Sequence, residues 1–331
     1  MRRQGTLRFF PYLFPKIWFH YITQPQPTDA MHKDFTFLFL FLLNLGLQLS
    51  AQESLDNPFF VFNNGVKDEQ YSTLEEQMRL LTDNGYDGME KNGLDNFEEV
   101  YHALQENNLN LYTIYVNVNL DNPQQPYDSR LEEVFRMIEG SSAMPWLYVT
   151  SNQYPSSSSE YDTLAVPILQ QIADLAQQYG IQVMLYPHMY FWVENAEDAI
   201  RVAEQVNRRN FGMTFNLCHY LAHQNRAGVD PWQSFDNLAQ QAMPYLFAIS
   251  LNGANPRDAD QQDIWTSFIQ PLGEGDFDTY RFLTTFLEQG FDGPVGLQCY
   301  SIDEDKAVHL RTSMQTWKTY QQRYEAASKI D

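Results

Sequence analysis

The chain has 331 residues, 21 Lys/Arg against 42 Asp/Glu and a formal net charge of −21. A field of that sign repels polyanions, which excludes a nucleic-acid binder and suits a protein that handles neutral or cationic small molecules. Aromatic residues make up 15% of it, a share that fits stacking on sugar rings and the filling of a large core equally well.

The N-terminal part reads as a targeting segment. Residues 35–49 are an almost unbroken apolar run, FTFLFLFLLNLGLQL, preceded by Met31 and Lys33 and followed by the small residues Ser50 and Ala51. That order is the one a secretory signal peptide has, and the run is shorter than the roughly 20 apolar residues of a membrane-spanning helix. Residues 31–52 are therefore expected to be a signal peptide, and the protein is expected to be exported, periplasmic or secreted, with no stable membrane insertion after cleavage. Residues 1–30 have no evident role, and the simplest reading makes Met31 the start and leaves them as a spurious upstream extension. An amphipathic membrane anchor is the competing reading, and Pro11, Pro15, Pro25 and Pro27 interrupt any helix there. The first 52 residues hold five Lys/Arg and two Asp/Glu, so residues 53–331 keep 16 basic against 40 acidic side chains, a net charge of −24.

From residue 53 onward, short apolar runs alternate with longer amphipathic ones, the pattern of repeated βα units. Strand one is expected at Phe59–Phe62. A capping box at Ser72–Glu75 then opens a helix with Leu74, Met78 and Leu81 on one face, and Gly85 stops it. Strand two follows at Gly88–Glu90, a helix at Asn96–Gln105, and strand three at Leu109–Val118. The next helix carries Leu131, Val134, Phe135 and Ile138. Strand four is Trp146–Thr150, and the long helix after it is expected to turn Leu164, Ile168, Ile172 and Leu175 inward and to end at Gly180. Strand five is Ile181–Tyr186 with a helix over Asn195–Val206. Strand six is Gly212–Asn216 with a helix near Trp232–Gln241. Strand seven is Tyr245–Leu251 with a helix over Asp276–Glu288. Strand eight is Pro294–Cys299, before a C-terminal helix over Asp303–Tyr324. Eight units in order, with no second domain and no low-complexity linker, predict a single-domain α/β fold, a (β/α)₈ TIM barrel, for which about 250 residues is usual.

Chemistry in such barrels sits at the C-terminal ends of the strands. The polar residues there are Asn63, Glu90, Asn117, Tyr186, His188, Asn216, His219, Ser250, Asn252 and Gln298. Inward polar groups are costly to bury without partners, so their gathering on one face marks a pocket. The two cysteines, Cys218 and Cys299, also fall at strand ends, and packing beside that pocket is their expected role; whether they pair is left open.

Four segments resemble the xylose isomerase-like barrels. They are Gly85-Tyr-Asp-Gly-Met-Glu90, Leu185-Tyr-Pro-His188, Asn216-Leu-Cys-His219, and Pro271-Leu-Gly-Glu-Gly-Asp276 running on to Gly290-Phe-Asp-Gly-Pro-Val-Gly-Leu-Gln298. The resemblance implies a divalent metal held by Glu, Asp, His and Glu on strands five to eight, with the two glutamates moving the proton of an isomerisation. In this chain those positions fall on Tyr186, Asn216, Ser250 or a neighbour of it, and Gln298. Hard or borderline dications want carboxylate or imidazole, so no metal is expected at the usual site and no cofactor is predicted. His188, His219 and Glu90 are the one displaced set that offers metal-ligating side chains.

His188, His219 and Glu90 are the candidate catalytic residues, the histidines because their ordinary pKa suits acid–base work. A histidine at a strand end is otherwise a satisfied hydrogen-bonding residue. Tyr186, Asn216, Ser250, Asn252 and Gln298 are candidate substrate contacts, with Trp192 and Tyr190 as an aromatic platform after strand five. The bland alternatives are polar groups that bond one another across the barrel mouth and a hydrophobic lid. The expected function is a sugar isomerase/epimerase-like protein that abstracts a proton next to a carbonyl of a carbohydrate or oxidised sugar; elimination, a lyase reaction, uses the same first step. The alternative is a carbohydrate-binding barrel that has lost catalysis. A metal-dependent endonuclease is excluded for want of zinc ligands and a basic groove.

Overall fold

Phe59, Phe60, Val61 and Phe62 alternate across one strand, and that alternation sorts the whole core. Phe60 and Phe62 join Tyr112, Met144, Trp146, Met184, Tyr186 and Ala248 in one apolar cluster, while Phe59 and Val61 belong to a second, larger one. The first fills the inside of a barrel, and the second lies between the barrel and the helices around it, because successive side chains on a strand point to opposite faces. The computed structural model describes residues 54–256 and 263–329; the expected signal segment and upstream extension lie outside them.

Eight strands pair in parallel, each with its sequence neighbours, and the last closes on the first: a (β/α)₈ barrel, as the alternating pattern predicts. They are β1 (Phe59–Val61), β2 (Gly88–Asn92), β3 (Asn110–Asn119), β4 (Met144–Thr150), β5 (Val183–Leu185), β6 (Phe211–Asn216), β7 (Leu246–Leu251) and β8 (Val295–Leu297). Phe60 pairs with Gly88 on one side, and Phe59 with Val295 on the other. The helices are α1 (Leu74–Asn84), α2 (Phe97–Glu106), α3 (Leu131–Ile138), α4 (Asp162–Gln177), α5 (Ala196–Val206), α6 (Leu217–Ala227), α7 (Phe235–Ala242), α8 (Ile264–Phe268), α9 (Thr279–Leu287) and α10 (Lys306–Ser328). None of the helices in the described residues is long and apolar enough to cross a membrane.

The register slips between β2 and β3: Met89 pairs with Leu111, but Glu90 pairs with Thr113. The extra residue resets the alternation, so that Leu111 and Ile114 both join the outer core while Tyr112 joins the inner one and Tyr115 lines the barrel mouth. The bulge therefore turns Glu90 and Tyr115 toward the same space.

Three local expectations need correction. The capping box lies one residue later, with Thr73 accepting from the N–H of Glu76 and the Glu76 carboxylate accepting from the N–H of Thr73. The run Ser-Thr-Leu-Glu-Glu satisfies the pattern in two registers, and only the second starts the helix at Leu74. On α4 the buried stripe is Ala165, Leu169, Ile172, Ala173 and Ala176, with Leu164, Ile168 and Leu175 at its edges; small alanines let the helix sit closer to the sheet than leucines would. Finally, β6 runs straight into α6, so His219 lies in a helix's first turn rather than at a strand end. Leu217 through Ala222 are buried all round α6, which leaves no polar face for periodicity to reveal.

The Pro271–Asp276 stretch is a loop pressed against the barrel mouth. Gly275 has φ 81°, and a Cβ there would lie 2.0 Å from the carbonyl oxygen of Ala254, so only glycine fits. The N–H of Leu272 donates to Oγ of Ser313 at 3.0 Å, which ties the loop to α10.

Candidate functional site

A cavity of about 370 Å³ opens at the C-terminal ends of the strands, in the place where barrel chemistry is done. Glu90, His188 and His219, the three residues singled out for catalysis, all line it, as do Tyr186 and Gln298. The turn after β1 and the bulge in β2–β3 fix Glu90: its Oε2 accepts the backbone N–H of Asn63 at 2.8 Å. The carboxyl is 5% exposed, and burial pushes it up to about 7, against the opposing pull of the Asn63 N–H and the Lys91 ammonium. Lys91 is the next residue and donates to the carbonyls of Asn92 and Gly93.

His188 is held by a 2.7 Å bond from Nδ1 to the carbonyl of Met189. A carbonyl only accepts, so Nδ1 carries the proton and Nε2 keeps its lone pair. Burial lowers this imidazole to about 4, and His219 well below the ordinary range, the second also because His188 stands beside it with ring centroids 4.0 Å apart. Both rings are neutral at pH 7. Nδ1 of His219 and Nε1 of Trp146, on two residues that line the cavity, are buried without a hydrogen-bond partner.

Tyr186 stands at the centre of an aromatic wall, 4.8 Å from Trp146, 5.0 Å from Tyr115 and 5.7 Å from His219 by ring centroids. Burial holds its phenol well above the ordinary range. Gln298 donates weakly to the Tyr186 hydroxyl at 3.5 Å. Its Oε1 accepts from Asn64 Nδ2 at 2.9 Å, from the N–H of Cys299 at 2.9 Å and from that of Tyr300 at 3.0 Å.

The remaining expected contacts lie off the cavity wall. Ser250 donates to Asn216 at 3.0 Å, and Asn216 donates to the carbonyl of Pro187 at 2.8 Å. Asn252 donates to the carbonyls of Gly253 and Phe268. These side chains bond one another and the backbone, the bland alternative for polar groups at strand ends. Trp192 is 1% exposed and packs in the outer core beside Arg201, so it is no platform for a ligand; Tyr190, two residues before it, is at the mouth. Cys218 and Cys299 are both buried and free.

The donor set does not suit a dication. Asn216 and Ser250 are spent on each other, the Gln298 oxygen is saturated by three N–H groups, and Tyr186 holds its proton firmly. Among the described residues no group of three or more His, Cys, Asp or Glu is arranged to hold a metal, the displaced set His188, His219 and Glu90 included.

Sequence reasoning passed over Asn64, Tyr115, Trp146, Trp265 and Tyr300, which also line the cavity. Trp146 and Tyr115 sit inside apolar strands and look like ordinary core. Asn64 and Tyr300 fall just past strand ends, and a wider window there would have found them. Trp265 lies in α8, a helix of five residues, too short to carry a periodic signal.

The family profile of the xylose isomerase-like TIM barrel matches residues 78–320. No curated protein matches the chain in sequence. Among solved structures it is similar to a xylose isomerase-like TIM barrel protein from Mycobacterium smegmatis in complex with magnesium, at 15% identity and a TM-score of 0.61, over 82% of this chain and 98% of that one. It is similar to an L-ribulose 3-epimerase at 11% identity and a TM-score of 0.62, over 83% of this chain and 97% of the other. It is also similar to a 3-keto-D-glucoside 4-epimerase from E. coli, at 14% identity and a TM-score of 0.60, over 80% of this chain and all of that one. At these identities the likeness is one of fold.

Proposed function

We propose that this chain, which belongs to the xylose isomerase-like TIM barrel family, is an exported sugar isomerase/epimerase-like protein that moves a proton next to a carbonyl with Glu90 rather than with a bound metal. The observation that carries this reading is Glu90: a carboxyl inside the cavity, raised to about 7 by burial, has the pKa a general base needs near neutrality. The carbohydrate part is supported by structural neighbours whose names are those of sugar epimerases. Aromatic walls and neutral hydrogen-bonding groups in the cavity support it too.

In this mechanism the ionised Glu90 takes the C–H proton beside a carbonyl and becomes the neutral acid. The electron pair moves onto the carbonyl oxygen as an enolate. The Tyr186 hydroxyl, on a residue of the cavity wall, is the neutral donor suited to that oxygen. Nε2 of His188, with its lone pair, accepts from a substrate hydroxyl. Return of that proton by Glu90 to the neighbouring carbon, with the hydroxyl proton of that carbon passing to the enolate oxygen, gives an isomer; a solvent proton delivered to the opposite face, with Glu90 losing its own to water, gives an epimer.

The test is deuterium wash-in from D₂O, followed by NMR, for the full-length chain with a panel of ketoses, aldoses and 3-keto glycosides. The expected result is exchange at a carbon next to the carbonyl, reduced at least about 100-fold in Glu90→Gln. Undiminished exchange in that variant would refute the assignment. The neutral residues at the four usual ligand positions favour a second reading, a binding barrel without catalysis. It predicts a sugar that binds in calorimetry and is recovered with no deuterium.

A further inference from the structure

We propose that Tyr190 and Tyr300 form an outer sugar-binding subsite at the cavity mouth, so that the ligand is an uncharged glycoside of two or more rings rather than a single free or phosphorylated sugar. The inference rests on the carbohydrate reading above but not on proton transfer.

Four large apolar side chains are exposed among the described residues, and two of them, Tyr190 at 63% and Tyr300 at 52%, line this cavity. They follow β5 and β8, strands three places apart round the barrel, so the two rings stand at separate points of the rim. Each is presented by a built turn. Tyr190 has φ 72°, a left-handed backbone that an aromatic residue seldom adopts. Its N–H donates to Oε1 of Glu194 at 2.8 Å, and both terminal nitrogens of Arg226 clamp that buried carboxylate at 2.8 and 2.7 Å. Tyr300 donates its N–H to Gln298, and Ser301 after it has φ 59°. Trp265, from α8, lines the same cavity. A strained residue held by a buried ion pair so that a ring faces water is costly, and stacking on a ligand is what such a ring offers.

Charge and size narrow the ligand. Among the described residues no Lys or Arg lines the cavity, its two histidines are neutral, and the one acidic residue on its wall is Glu90. A phosphate or carboxylate would enter without a partner. A volume of about 370 Å³ is at the small end of sites that enclose drug-sized ligands, which suits one ring inside and a second at the rim.

The test is calorimetry on the full-length chain with glucose, galactose and fructose, with maltose, cellobiose, lactose and sucrose, and with glucose 6-phosphate. At least one disaccharide should bind about tenfold or more tightly than its component sugars, and glucose 6-phosphate no more tightly than glucose. Tyr190→Ala and Tyr300→Ala should each weaken that disaccharide about tenfold and leave the monosaccharides within about twofold. Both side chains are exposed, so the fold should hold. Tyr190→Gly should lose the same affinity while the Tm rises by about 2 °C, because glycine relieves the left-handed backbone. Equal loss for one and two rings, no disaccharide preference, tighter binding of the phosphate, or no binding by any of these sugars would overturn the proposal. A disaccharide bound in this way but recovered without deuterium would keep the subsite and remove proton transfer. Deuterium exchange on a single sugar with no disaccharide preference would do the reverse.

Discussion

The backbone N–H of Asn63 donates to Oε2 of Glu90 at 2.8 Å, which joins the turn after β1 to the carboxyl on β2. The same turn is anchored from behind, where Nζ of Lys306 on α10 donates to the carbonyl of Asn64 at 2.9 Å. One hydrogen bond does not offset the burial of the Glu90 carboxyl, and that imbalance makes it titrate near neutrality.

A consequence appears in stability. Burial raises the folded carboxyl from 4.5 to about 7, so between those values the folded chain keeps a proton that the unfolded chain has lost. This site's contribution to stability therefore falls as pH rises from 4.5 to about 7 and is level above that. Between about pH 5.5 and about pH 8.5 the wild type should lose about 2 kcal/mol more than Glu90→Gln, measured by urea unfolding. Parallel pH dependence in the two proteins would contradict the buried acid.

The rate of proton exchange should rise with pH through a single limb near pH 7, because the ionised form of Glu90 is the base. His188 is already neutral there, having been lowered to about 4. In His188→Gln the rate falls while the limb stays in place, a result that a pH–rate profile reads directly. A limb that moves with His188 would reassign the base.

Tyr186→Phe removes a hydroxyl whose protein contact is the weak 3.5 Å bond from Gln298. Stability should change by about 1 kcal/mol at most, whereas exchange should drop about 100-fold if the hydroxyl stabilises the enolate. Thermal unfolding and deuterium wash-in on one preparation separate the two effects.

Thr73→Ala should lower stability by about 1 kcal/mol, because Thr73 caps α1 through the N–H of Glu76. Ser72→Ala, one residue earlier, should leave the Tm unchanged. Equal effects would return the cap to the Ser72 register.

The barrel was legible because its signal repeats. Phe59–Phe62 is a short apolar run, Leu131, Val134, Phe135 and Ile138 recur at helical spacing, and Gly85 stops its helix in the left-handed region. The local errors arose where that signal is degenerate or missing: two capping registers at Ser72 and Thr73, alanines rather than leucines against the sheet on α4, and no polar face on α6. Glu90, His188 and His219 all line the cavity, and they are legible as candidates because titratable residues at strand ends are few. Asn216, Ser250 and Asn252 bond to their neighbours and do not line the cavity, and sequence cannot tell a polar side chain aimed at a cavity from one bonded to its neighbour. Trp192 and Tyr190 show the same limit: two residues apart after one strand, one is buried in the core and the other stands at the rim.

The most direct test of the central claim is deuterium wash-in by full-length protein that has been stripped with EDTA and dialysed. Proton transfer by Glu90 without a metal predicts exchange at the untreated rate, with no change on adding magnesium, manganese or zinc. Exchange that vanishes on stripping and returns with one of those ions would contradict it.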